Sequence, residues 1–143
     1  MKPESVLALC HEHAAAEAEL DVERVLATLV PDPRFDYLPL GRTMAGWAKV
    51  ERFYREQYPR FVRHVVGFEL LDEWVNDNAA LQEYTIAVRE DDRASFHVMS
   101  IMPVDEGSGL LRGERLYCDE SFVRVLLGPL FDLLEPIEEN PAS

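Results

Sequence analysis

The stretch GWAKVERFYREQYPRFVRHVVGFELLDEW, residues 46–74, changes its hydrophobic period partway along. In its first half Trp47, Val50, Phe53, Tyr54, Tyr58 and Phe61 recur at three- and four-residue steps, which predicts a helix rich in aromatic side chains. From Val62 the period drops to two. Val62, His64, Val66, Phe68, Leu70 and Trp74 share one side, and Arg63, Glu69 and Glu73 the other, the pattern of a long half-buried strand. Ahead of this junction the chain reads mostly as helix, and after it mostly as strand. That order predicts an α+β unit in which one curved, mostly antiparallel sheet wraps around a long helix and encloses a small apolar cavity.

Working outward, Val6, Leu9, Cys10, His13, Ala16, Glu17 and Leu20 lie along one face of a helix over about residues 4–19. Asp21 stands where an N-cap accepts a backbone N–H, and Val22, Val25, Leu26 and Leu29 form the stripe of a second helix that Pro31 and Pro33 stop. Residues 35–38 have room for one short strand before Pro39 and Gly41. The third helix carries Arg52–Glu56 and Glu51–Arg55 pairs at i,i+4 on a solvated face. Asp77-Asn78, then residues 90–93 and 105–109, supply turn chemistry between strands that end near Asp119. Ser121 is the expected cap of a terminal helix that Gly128-Pro129 ends. Residues 1–134 read as one domain, and residues 135–143 as an acidic, frayed tail.

The 143 residues suit a single core, and a formal charge of −13 without a basic, aromatic-interleaved stretch argues against a nucleic-acid partner. No apolar run is long enough for a bilayer, and the amino-terminal residues lack a signal-peptide core, so a cytoplasmic location and no membrane partner are expected. Cys10 and Cys118 read as buried free thiols. His11, Glu12 and His13 with Glu17 have the look of a metal motif, but only His13 and Glu17 share a helix face, and two ligands do not hold a structural zinc. Neither a metal nor another cofactor is expected.

Asp21 opening the second helix, Asp32-Pro-Arg-Phe35, Gly46 with Phe53 and Tyr54 after it, and the closing Gly113-Glu-Arg-Leu-Tyr-Cys-Asp119 together resemble the nuclear-transport-factor-2-like superfamily. Within it the chain is similar to the SnoaL-like group of polyketide cyclases and ketosteroid isomerases. The resemblance covers nearly the whole chain and implies a cone-shaped α+β barrel with two further N-terminal helices, a pocket at its wide end and a homodimer through the outer face of the sheet. It also allots positions. The isomerase tyrosine donor falls on His13, the general-base Asp near Tyr37 and the second donor near Ser100. Tyr cannot act as that base near neutral pH, so the isomerase machinery is largely missing. Glu83-Tyr-Thr85 does not match the epoxide-hydrolase pattern. The acidic residue that cyclases carry at the end of the closing strand corresponds to Asp119.

Beside that resemblance, the residues leave structural readings open. His13 on an apolar helix face fits a buried histidine satisfied by a hydroxyl as well as a catalytic one. Glu83, between Leu81 and Thr85, needs a partner or a raised pKa, and Arg115 is the expected partner. Tyr37, Trp47, Tyr54, Phe96 and Tyr117, with Arg115, are the expected pocket residues, and His97 can face either side of the sheet. Two function classes follow. One is a cofactor-independent lyase, isomerase or cyclase that moves a proton on an apolar small molecule through Asp119, His13 and Glu83. The other binds such a molecule without turnover, or serves as a dimeric accessory module.

Overall fold

A computed structural model describes residues 1–89 and 94–138. The elements run α1 (Pro3–Ala18), α2 (Val22–Ala27), β1 (Leu29–Leu38), β2 (Arg42–Ala45), α3 (Trp47–Arg52), a π-helical turn (Phe53–Gln57) and α4 (Tyr58–His64). They continue as β3 (Val65–Val75), β4 (Ala79–Val88), β5 (Ala94–Asp105), β6 (Leu110–Tyr117), α5 (Glu120–Leu127), a 3-10 turn (Gly128–Leu133) and β7 (Glu135–Pro136). The strands form one sheet in the order β3-β4-β5-β6-β1-β2-β7, antiparallel throughout except where β1 runs parallel to β6. This is the expected α+β architecture of a curved, unclosed sheet around helices.

The sheet bends where its register slips. Irregularities fall between Val65 and Gly67 and between Leu70 and Asp72 on β3, between Ile101 and Val104 on β5, and between Leu29 and Arg34 on β1. Each extra residue kinks its strand and adds twist, and together they turn a flat ribbon into a cone. The concave side holds the core, from Val6, Cys10 and Ala16 of α1 through Phe35, Tyr37, Tyr54, Phe61, Val98 and Met102 to Phe122 and Leu126 of α5.

Several local expectations change for identifiable reasons. Strand β1 starts at Leu29 and runs through both prolines, because residues 30–33 fall in the irregular stretch where β1 leaves its ladder with β6, a place where a missing amide costs nothing. The long aromatic helix forms, but with one extra residue in its middle turn: the amide of Tyr58 reaches back to the carbonyl of Phe53. Pro59 comes next, and a proline inside a regular helix would leave one carbonyl without its donor and press its ring against it. Helix then persists to His64, so the alternation read from Val62 begins three residues late. Asp119, not Ser121, stands at the N-cap of α5. The tail is tied down where it is described: Glu135–Pro136 pairs with β2, the Ile137 amide donates to the Gly41 carbonyl, and Lys49 meets Glu135. The turn expected at residues 90–93, and residues 139–143 of the tail, lie outside the described residues. Cys10 and Cys118 are buried and free, and no described helix is long and apolar enough to cross a membrane.

One glycine fixes the seam between β1 and β6. Gly113 has φ +127°, and a Cβ there would sit 1.8 Å from the Arg34 carbonyl oxygen on the paired strand. No other residue allows that approach. Gly113→Ala is expected to cost about 3 kcal/mol or more of unfolding free energy, measured by urea denaturation. The control Gly107→Ala, whose added methyl meets its nearest atom at 3.6 Å, should change stability by less than about 0.5 kcal/mol.

Candidate functional site

Between the concave face of the sheet and helices α1, α4 and α5 with the π-helical turn lies a cavity of about 380 Å³. Its wall is almost wholly apolar and aromatic, with Tyr37, Tyr58, Tyr84 and Phe61 among the contributors, and Glu17 and Glu114 are the only charged residues in it among those described. Glu17 comes from the last turns of α1, and Glu114 from β6 directly after Gly113. The strand seam that demands glycine therefore sets where Glu114 points.

Behind the two carboxylates sits His13, fully buried. Its Nε2 is 3.6 Å from Glu17 Oε1 and 3.7 Å from Glu114 Oε2. Its Nδ1 is 2.7 Å from Thr28 Oγ1, and that hydroxyl already donates to the Val25 carbonyl at 2.6 Å. Thr28 can therefore only accept, which fixes the proton on Nδ1. The other oxygen of each carboxylate is also held: Tyr54 donates to Glu17 Oε2 at 2.9 Å and the buried Ser100 to Glu114 Oε1 at 2.8 Å. Thr28 reaches His13 because it ends α2, which Asp21 starts by accepting the Arg24 amide.

These contacts shift the titration of the cluster. Burial, reinforced by Glu114, pushes Glu17 up to about 7, against the pull of His13 and the Tyr54 hydroxyl. Burial alone would lower the pKa of His13, but Glu17 and Glu114 outweigh it and the net shift is upward. Burial, with Glu114 next, lifts Tyr37 and Tyr84 well above the ordinary tyrosine range, so both remain neutral donors. Burial likewise pushes Cys10 and Cys118 up to about 12, so neither offers a thiolate near neutral pH.

Of the residues singled out from sequence, Tyr37 and Tyr54 reach this place, and His13 backs it. Glu83 does not pair with Arg115. It meets His97 Nε2 at 2.7 Å on the outer face of the sheet, where Arg115 is exposed and lies beside a separate shallow cleft with Arg34 and Asp36. Tyr117, 43% exposed, shares that outer face, and Asp119 beyond it is exposed and away from the cavity. Trp47 opens α3 at 37% exposure, and Phe96 packs on Phe122 in the core, 5.1 Å between ring centroids, without lining the cavity. One physical reason covers Arg115, Tyr117 and Asp119: along β6 the apolar Leu116 and Cys118 take the inward side, and a one-residue change of phase turns every side chain over. Glu114 belongs to the inward set, and that parity, with Leu116 and Cys118 as markers, was its signal. Glu17 was readable as the residue one turn beyond His13. Ser100 was indicated only as the position near which the resemblance puts a second donor, and Thr28 had no signal beyond its hydroxyl.

No protein-family model matches the sequence, and no curated protein is similar to it in sequence. Solved structures do match in shape. An NTF-2-like protein of unknown function from Burkholderia xenovorans LB400 superposes with a TM-score of 0.62 at 21% identity, over 83% of this chain and 86% of that one. A protein of unassigned function with a cystatin-like fold from Silicibacter pomeroyi DSS-3 gives 0.63 at 17%, over 82% and 79%. A protein proposed to be a ketosteroid isomerase, from Kribbella flavida DSM 17836, gives 0.65 at 15%, over 82% and 80%. The fold is NTF2-like. In this NTF2-like cone Tyr37 lines the cavity, Ser100 donates to Glu114, and His13 Nε2 faces both Glu17 and Glu114.

The raised Glu17 pKa has a consequence for stability. Its folded value of about 7 lies above the ordinary 4.5, so between those two values the folded chain binds more protons than the unfolded one. The resulting stabilisation is complete below pH 4.5 and is lost as pH rises through 7. In chelator-treated buffer, Glu17→Gln should remove this part of the pH dependence. The difference in unfolding free energy between variant and wild type should then grow in the variant's favour from pH 5 to pH 8, as read by urea titration; a flat difference would contradict a buried, protonatable Glu17.

Proposed function

We propose that the cavity binds a small apolar molecule and that Glu17 and Glu114, steadied by His13, transfer a proton on it. The observation that carries this reading is the presence of two carboxylates, the only charged groups among the described residues that line the cavity, in a mostly apolar and aromatic wall. A carboxylate kept from water by apolar neighbours is a stronger base toward a bound carbon acid than one in solvent, and a neutral phenol nearby can donate to an oxygen that gains charge. Tyr37 and Tyr84 supply such phenols, their hydroxyls having no hydrogen-bond partner among the described residues. The substrate class is an enolisable or hydroxylated molecule with one polar end, and the reaction class a lyase, isomerase or cyclase step. The fold supports a small-molecule pocket, and the Kribbella protein's description is compatible with this class.

Binding without turnover is the competing reading, favoured by the tyrosine at the position where isomerases of this shape carry their base. Both readings require the cavity to admit an apolar guest. The uncharged fluorophore N-phenyl-1-naphthylamine is expected to bind, and Ala14→Phe, which projects a ring into the cavity, should weaken it at least tenfold with little change in melting temperature. Ketones that displace the fluorophore, such as trans-2-decalone, should then lose their α-hydrogens to D2O at an enzyme-dependent rate followed by NMR. Glu17→Gln or Glu114→Gln should slow this at least ~100-fold. Displacement without exchange would establish the binding-only reading instead.

The outer face of the sheet is the proposed partner surface for a second copy. Trp74 lies opposite Leu81, Leu81 opposite Ile101, and Met99 opposite Tyr117, a continuous apolar patch on the face away from the helices. Val65 of β3 lines the cavity and is not part of this patch. Sedimentation at micromolar concentration should give twice the 16.4 kDa chain mass, and Ile101→Glu should halve it. A wild-type monomer under those conditions would remove the dimer.

A further inference from the structure

The atoms at the polar end of the cavity are arranged in a way that proton transfer does not require. Each of the three residues has two polar atoms, and in each case one is held by a neighbour: His13 Nδ1 by Thr28, Glu17 Oε2 by Tyr54 and Glu114 Oε1 by Ser100. The remaining three, His13 Nε2, Glu17 Oε1 and Glu114 Oε2, face one another. From these contacts we infer that His13, Glu17 and Glu114 form a binding site for one divalent transition-metal ion such as Zn²⁺, with its open coordination position toward the cavity.

Three features support the inference. First, with one proton fixed on Nδ1 by Thr28, His13 turns Nε2 toward two carboxylates, so Nε2 is the ring atom that can exchange its proton for a cation. The nearest other group, the Tyr54 oxygen, is 3.4 Å away and commits its hydrogen to Glu17. The cluster needs a positive charge among these atoms, which a proton on Nε2 supplies in the metal-free chain and a bound cation would supply in its place. Second, the spacing suits a metal better than a proton. Metal–ligand bonds of roughly 2.0–2.2 Å place two ligand atoms about 3.4 Å apart at the tetrahedral angle, and the two observed separations from Nε2 are 3.6 and 3.7 Å. They are too long for strong hydrogen bonds. All three candidate ligand atoms lie within 4.8 Å of one another, so a small turn of the carboxylates closes the set. Third, orienting hydrogen bonds on the non-ligating atoms are what metal sites use to fix imidazole tautomer and carboxylate direction. One nitrogen and two oxygens suit zinc, iron(II) or manganese(II).

Sequence could not show this, because the third ligand comes from a strand about a hundred residues beyond the first two. The inference rests on reading the cluster as the reactive end of the cavity, but not on proton transfer. A cation there would polarise an oxygen of whatever the cavity holds.

The full-length chain, freed of metal by chelator and returned to physiological ionic strength, is titrated with Co²⁺ by visible absorption and with Zn²⁺ by calorimetry. One saturating equivalent is expected, with the intense absorption of a low-coordinate Co²⁺ site. Glu114→Gln should weaken binding at least ~100-fold and Ser100→Ala, which only orients Glu114, about tenfold. Ser100→Ala also serves if Glu114→Gln fails to fold. His97→Ala, which removes the exposed pair with Glu83, should change nothing. Absence of saturable binding, affinity unaltered in both Glu114→Gln and Ser100→Ala, or affinity lost in His97→Ala would each overturn the site. N-phenyl-1-naphthylamine binding in the same samples keeps the two readings apart. A chain that takes up the fluorophore but not Co²⁺ loses the metal and keeps the pocket, and one that takes up Co²⁺ but not the fluorophore does the reverse.

Discussion

The contact between His13 and the two carboxylates in front of it is the constraint around which this cone is arranged. Glu17 and Glu114 approach each other at the edge of an apolar cavity, where both side chains are largely withdrawn from solvent. Two like charges so placed repel strongly in a low-dielectric setting, and each also loses its hydration. A buried imidazole between them offsets both costs only if it stays put. It does so because Thr28 holds its far nitrogen, and Thr28 is there because α2 is short, capped by Asp21 and ended at once by β1. The site thus depends on the shortness of one six-residue helix.

The same logic runs through the opposite wall. Glu114 faces inward because Gly113 lets β1 lie against β6 closely enough for a parallel pairing that any side chain would block. On the remaining side the π-helical turn before Pro59 shifts the phase of the aromatic helix by one residue. That shift allows Phe53, Tyr54 and Tyr58 all to border the cavity, with Tyr54 and Tyr58 ring centroids 5.4 Å apart. A regular helix would spread three such neighbours around its circumference at about 100° per residue. Two of the chain's irregularities, the glycine seam at Gly113 and the π-helical turn, thus adjoin residues that border the polar end of the cavity.

The architecture was legible because it follows from periodicity. The change from helical to strand spacing near residue 62, the turn residues and the Asp21 cap all act locally, and local patterns survive in the sequence. The site was legible only in part. His13 stood out by residue type, and Tyr37 and Tyr54 by their place among apolar neighbours. Glu114 was hidden by phase: two alternating sets along β6 differ by one residue, and the set carrying Arg115, Tyr117 and Asp119 contains more chemically conspicuous side chains. Inward orientation is decided by Leu116 and Cys118, which are apolar and chemically plain. Conspicuous side chains on a half-buried strand are more often the outward ones, because water solvates them there without a partner. Glu83 shows the same effect, its partner being the outward His97 two positions away on the neighbouring strand's ladder.

The shape shared with proteins below 25% identity identifies a scaffold and leaves its chemistry open. What distinguishes this chain is where its acids come from. The wall position that resemblance allots to an isomerase base holds Tyr37, and the carboxylates enter instead from the end of α1 and from the closing strand. The carboxylates of this cavity thus stand at the junction between helix and sheet, with a histidine behind them. A lone carboxylate in an apolar wall can only gain or lose a proton. Two carboxylates converging on a fixed imidazole nitrogen can also share a cation, with Thr28, Tyr54 and Ser100 holding the three outer atoms away from the centre. Those three hydroxyls, none of them charged, hold the outer atoms of the cluster and leave the inner three facing one another.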